Sequence, residues 1–129
     1  MQIESFEKGC EIMGYDPAQK PIVAHLPAIH QKAVTSTYEL FVISEASWRA
    51  ESKEPDYDNV SQRKWQPIFY IKKDKSNPSG FRFVSSFYFV CVFTYSASGS
   101  RLCYPSRADS DWHAQQHEGL YRDVLVKKK

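Results

Sequence analysis

Long apolar runs are missing from this chain. The most apolar stretch covers only residues 87–93, against the roughly 20 residues that a membrane-crossing helix needs. The first nine residues carry Glu4, Glu7 and Lys8 without an apolar centre, so they do not read as a secretory leader. The expectation is a soluble chain with no membrane partner. Cysteine is scarce and odd in number, with Cys10, Cys91 and Cys103, whereas a disulfide-built secreted scaffold of this length shows a larger, even set. A reducing compartment follows, either the cytoplasm or a particle assembled there. Glycine is sparse as well, and Gly80 and Gly99 stand alone as turn residues, which leaves no glycine-rich cradle for phosphate. His25 and His30 flank Pro27 with no Ser or Cys nucleophile in a recognised arrangement beside them. No catalytic residue and no cofactor is assigned, and the reading is not an enzyme.

Charge of one sign is also missing. The formal net charge is +2 and the one unbroken run is Lys127-Lys128-Lys129, which reads as a solubilising tail. What the chain has in quantity is aromatics: eight Phe, eight Tyr and three Trp. Such rings bury much area, yet the Tyr hydroxyl and Trp N–H need partners, so half-burial is expected for many. At 129 residues the chain is the size of one domain with a genuine core.

Ser5 as N-cap, Phe6, Cys10 and Met13 at helical spacing, and Gly14 as the stop predict a short first helix. After the proline-punctuated segment 17–27, Ile29, Ala33, Thr37, Leu40, Phe41, Ser44 and Trp48 form one stripe of a long second helix ending near Ala50. Residues 51–66 are polar and rich in Asp and Asn, which predicts a long loop. Strands are expected at 68–73, 81–84, 87–95 and 101–104, with Ser85-Ser86 and residues 96–100 as turns. Ser106 with Asp109 then opens a terminal helix to about Val126, with Trp112, Gln116, Leu120 and Val124 toward the sheet. The fold class is therefore α+β: two N-terminal helices, a three- to four-stranded antiparallel meander and a C-terminal helix packed on it.

Three groupings carry chemistry. Asp109, His113 and His117 recur one turn apart on a single helical face, the spacing with which imidazoles hold zinc. Asp109 lies two turns from His117, so a straight helix does not close all three on one ion, and no metal is assigned. Cys10, Cys91 and Cys103 read as small buried hydrophobes. Phe81, Phe83, Phe87, Phe89 and Tyr95 beside Arg82 and Arg101 suggest a sheet on which single-stranded nucleic acid stacks, but the element order and near-neutral charge do not favour it. The strand at 87–93 is apolar on both faces, so its second face is covered by the N-terminal segment and the 51–66 loop, or it awaits a partner.

Residues 27–41, with His30-Gln31-Lys32-Ala33 and Tyr38-x-Leu40, then Ser79-Gly80-Phe81-Arg82-Phe83, then Gly99-Ser100-Arg101-Leu102-Cys103-Tyr104-x-Ser106-Arg107, resemble small proteins encoded by phages and prophages of anaerobic gut bacteria. The resemblance runs through nearly the whole chain in order and implies an origin and a topology, but no reaction. Two stretches depart from the family pattern: residues 87–95 are more apolar, and 108–118 replace an Ala-rich acidic helix start. The functional expectation is a noncatalytic protein-interaction module, virion-associated or binding a host factor, in the bacterial cytoplasm or the virion. Its partner face is expected at Phe87, Tyr88, Phe89, Val90 and Tyr95 with Arg82 and Arg101 at the rim, engaging a protein partner or a second copy. The alternatives are a module for single-stranded nucleic acid and a hypervariable recognition protein. The latter rests on residues 84–100, which contain no Trp, Gln, Glu, Lys or Met, as adenine-directed diversification would leave them.

Overall fold

The structure is a computed structural model and describes residues 1–90 and 101–126. Its elements are helices α1 (Phe6–Met13) and α2 (Ala28–Arg49), strands β1 (Lys64–Tyr70) and β2 (Arg82–Phe89), and helices α3 (Arg107–Gln116) and α4 (Glu118–Leu125). The α+β class is as expected. α1 forms where the sequence signals it: Ser5 Oγ accepts from the Lys8 amide at 3.1 Å, and Gly14, at φ 75°, donates its N–H to the Cys10 carbonyl. Its inner face carries Gly9, where an added Cβ would come within 3.2 Å of Val42 Cγ1. That missing side chain is what lets α1 lie closely on α2.

α2 is the central support, with α1 packed on one side and α4 on another. Leu40, Val42, Ile43, Ala46 and Trp48 are all buried along its C-terminal half, a wider face than the predicted single stripe because two helices cover it. The first two turns extend past the core, and Ile29, predicted on the inner stripe, is 45 % exposed.

The strands depart from expectation in three ways. β1 begins at Lys64 instead of 68, because the polar text Lys64-Trp65-Gln66 alternates as a strand does and buries Lys64 and Gln66. β2 runs straight through Ser85 and Ser86, where a turn was expected, since Ser86 is buried and its hydroxyl donates to Ser110 Oγ of α3 at 2.8 Å. The last predicted strand, 101–104, is a single bridge: Trp65 and Tyr104 exchange backbone bonds of 3.0 and 2.7 Å on the edge of β1 away from β2. Among the described residues the sheet is thus a two-stranded antiparallel hairpin, with register shifted between Ile68 and Phe69. Pro67 is tolerated because residues two apart point their N–H groups to the same edge. Its missing donor falls on the Tyr104 side, and the ladder to β2 loses nothing. Residues 91–95 of the expected third strand lie outside the described residues.

The hairpin's connecting loop is built by side chains. Asp74 Oδ1 accepts from the amides of Ser76 and Asn77, and buried Asn77 returns its Nδ2 to the carbonyls of Tyr70 and Lys72. The terminal helix is broken in two at His117, whose backbone leaves helical geometry at φ −111° and ψ 29°. Its inward residues are Ser110, His113, Ala114, His117 and Tyr121, whereas Gln116, predicted to face the sheet, is exposed. Tyr104 and Tyr121 meet hydroxyl to hydroxyl at 2.8 Å in the core, one donating to the other.

Candidate interaction face

Across an antiparallel pair, directly opposed residues share a face, and Trp65 is opposite Tyr88. Their ring centroids are 5.0 Å apart with planes tilted by 58°. The Arg63 guanidinium lies 4.7 Å from the Tyr88 ring centre, and the Arg107 guanidinium, from the first turn of α3, lies 6.0 Å from that of Trp65. The four side chains form a ladder of cation, ring, ring and cation. Tyr88 is 45 % exposed and Trp65 half-buried, so the ladder is open to solvent. Arg107 has Asp111 at 4.0 Å, while Arg63 has no carboxylate within ion-pair distance among the described residues. The face is prearranged, since each guanidinium already stacks on a ring.

The residues predicted for this role do not make one surface. Tyr88 belongs to the ladder. Phe89 points the other way and is buried against Trp48 and Cys103. Phe87 and Val90 are half-buried, and the Val90 carbonyl accepts from Lys64 Nζ at 3.1 Å. Arg82 lies over Tyr70 at 5.3 Å, near the loop end of the hairpin, and Arg101 lies over Phe41 of α2 at 4.3 Å. Tyr95 is outside the described residues. Arg63, Trp65 and Arg107 were missed; the period of two around Trp65 was a signal for the first two, whereas Arg107 comes from α3.

Asp109, His113 and His117 are brought together, but around a backbone. The Ile3 amide donates to His113 Nε2 at 2.9 Å, so the proton of the neutral ring is on Nδ1, which donates to the Asp109 carbonyl at 2.7 Å. His117 Nε2 donates to the Ile3 carbonyl at 2.8 Å. Asp109 Oδ2 accepts from the Met1 ammonium at 2.6 Å, and Glu51 takes a second bond from the same group. Both nitrogens of His113 are spent, and the trio is a clamp on the N-terminal segment. Burial pushes His113 down to about 4, against the Asp109 hydrogen bond, and also lowers His117. Among the described residues no group of three or more His, Cys, Asp or Glu is arranged to hold a metal ion.

His25 and His30 are exposed, and Cys10 and Cys103 are free and buried. Burial raises the Cys103 thiol to about 11, so it is not a poised nucleophile. Cys91 lies outside the described residues. No described helix is long and apolar enough to cross a membrane. Compared with protein-family models, curated proteins and solved structures, the chain matches none of them.

Proposed function

We propose that this chain is a noncatalytic interaction module that docks a protein partner on the ladder of Arg63, Tyr88, Trp65 and Arg107. One observation carries the reading: two guanidiniums stacked on a pair of neighbouring rings, with Tyr88 open to solvent. Tyr, Trp and Arg are the residues on which binding energy concentrates, because they offer large rigid area and directional donors at low entropic cost. The charges select the partner's chemistry. Guanidiniums at both ends of an aromatic pair are complementary to a segment that interleaves acidic and aromatic side chains. The sequence resemblance adds a setting, a virion-associated or host-factor-binding protein of a phage or prophage.

Selection of random 12-residue peptides against the immobilised protein tests this. Enrichment of Asp and Glu interleaved with Trp, Phe or Tyr is expected. Tyr88→Ala or Arg63→Ala should weaken the selected peptides about 30-fold, a hot-spot loss of about 2 kcal/mol, while Arg82→Ala leaves them unchanged. Peptides insensitive to both ladder substitutions would overturn the assignment. Alternating rings and guanidiniums also suit stacked bases. Salt-sensitive retention of oligo(dT) lost on Tyr88→Ala, with no peptide enrichment, would replace the protein reading with single-stranded nucleic acid.

A further inference from the structure

The net charge of +2 conceals a segregation. Residues 63–107 hold eight Lys and Arg against a single acid, Asp74, whereas the rest of the chain holds nine against fourteen. The β1–β2 hairpin is therefore the basic pole of the fold, and its cations gather at the connecting loop. Lys72, Lys73 and Lys75 lie on that loop, and Arg82 opens β2 opposite Tyr70, at the last pair of the ladder. Residues 71–76, 78 and 79 are exposed, as is Arg82.

The loop holds these charges in a fixed arrangement. Buried Asn77 exchanges backbone bonds of 3.2 and 3.1 Å with Asp74, and its side chain donates to the carbonyls of Tyr70 and Lys72. Gly80, at φ 77°, lies so close to the Lys73 stem that an added Cβ would come within 3.4 Å of the Lys73 Cβ. The Arg82 guanidinium is held over the Tyr70 ring at 5.3 Å. Asp74 serves the turn itself, accepting from the Ser76 and Asn77 amides and from the Ser76 and Tyr70 hydroxyls.

What the loop lacks decides which polyanion fits it. Residues 72–80 contain no Phe, Tyr, Trp, Leu, Ile, Val or Met, so the tip has no ring on which an unpaired base stacks and no apolar chain to bury in a bilayer. It offers ammonium groups, serine hydroxyls and a guanidinium, the donors that engage phosphate oxygens. A two-stranded ribbon also has the width that the major groove of a duplex admits. We infer that the hairpin tip, through Lys72, Lys73, Lys75 and Arg82, docks on the phosphate backbone of double-stranded DNA without reading its sequence. This surface lies at the end of the hairpin opposite the Trp65 and Tyr88 pair and does not depend on it.

The test is fluorescence anisotropy of a labelled 20-base-pair duplex with the full chain over a series of salt concentrations from 50 to 200 mM. Saturable binding is expected, equal for two unrelated sequences, with log K falling against log salt at a slope of about −3 for three to four neutralised phosphates. Replacing both exposed lysines, Lys72→Ala with Lys75→Ala, should reduce the slope by about 0.9 per lysine and weaken binding at 50 mM about tenfold per lysine, at an unchanged melting temperature. Tyr88→Ala should leave duplex binding unchanged. Absence of binding at 50 mM would overturn the proposal, as would a slope that survives the loss of both lysines or binding lost on Tyr88→Ala. Binding to phosphatidylglycerol vesicles or to polyglutamate without binding to the duplex would overturn it too, and would give the tip to a membrane surface or to an acidic protein.

Discussion

Lowering the pH from 7 to 4 is expected to remove about 3 kcal/mol of the chain's stability through His113 alone. In the unfolded chain this imidazole titrates near its ordinary value of 6.5, and in the fold burial holds it down to about 4. Between those values the unfolded state carries a proton that the folded state refuses. Stability is therefore complete above pH about 6.5, falls steadily as the pH drops, and levels below about 4. The interval of about 2.5 pH units sets the magnitude at about 1.4 kcal/mol per unit. His117, also lowered by burial, adds in the same direction. The geometry gives the reason: a proton on His113 Nε2 would point at the Ile3 N–H, turning an acceptor at 2.9 Å into a second donor.

Urea unfolding at pH 7, 6, 5 and 4 measures this directly. His113→Ala should lower stability at pH 7, because the Ile3 amide and Asp109 carbonyl lose their partner and Tyr104 loses the ring stacked 4.4 Å from it. The same variant should show a flatter pH dependence, keeping only the part due to His117 and the carboxylates. If the variant retains the full slope, or if the His113 ring of the folded protein titrates near 6.5 by NMR, the clamp does not work as described. Hydrogen exchange adds a local reading, since the Ile3 amide should lose protection on acidification before the core of α2 does.

The parts of this fold that were legible in the sequence are those written in local chemistry. Ser5 and Gly14 bracket α1, and Ser106 caps α3 by accepting from the Asp109 amide at 3.1 Å, because capping needs only residues three or four apart. The parts that were not legible depend on distant partners. Ser85-Ser86 has turn composition but is carried as strand, since Ser110, twenty-four positions on, receives the Ser86 hydroxyl. The terminal helix breaks at His117, whose side chain is held by the carbonyl of Ile3, 114 residues earlier. The spacing of Asp109 and His113 holds on α3, whereas His117, read on the same helical face, falls at the break between α3 and α4. What it binds was not readable, because a backbone segment leaves no signature of spacing. Of the four ladder residues one was visible: Tyr88 was named from its aromatic neighbourhood, but Trp65 and Arg63 lay in text that resembled a solvated loop, and Arg107 comes from a distant helix.

Lys64 is the clearest instance of that last difficulty, and it carries the second large effect. A lysine beside polar loop residues reads as solvated, yet Lys64 is fully buried at the start of β1. Its ammonium donates to the carbonyls of Asn59 at 3.1 Å, Gln62 at 3.0 Å and Val90 at 3.1 Å. Three donors meet three acceptors, which offsets the cost of taking the charge out of water. The same three bonds tie the loop before β1 to the end of β2 and hold Arg63 in its place beside Tyr88. Lys64→Met keeps the length of the stem and removes every donor, so the three carbonyls are left facing a thioether methyl. The expected loss is about 3 kcal/mol, between the net value of a charged hydrogen bond and the cost of several orphaned acceptors. For a chain of this size that corresponds to a fall in melting temperature on the order of 10 °C. Lys75→Met, at an exposed site in the hairpin loop, is the matched control and should change stability little. Equal melting temperatures for the two variants would mean that the carbonyls regain water at no cost and that Lys64 is not a structural tie. If Lys64→Met instead melts far below Lys75→Met, it should also weaken ladder-binding peptides, because the strand that presents Trp65 and the arginine before it has lost its anchor.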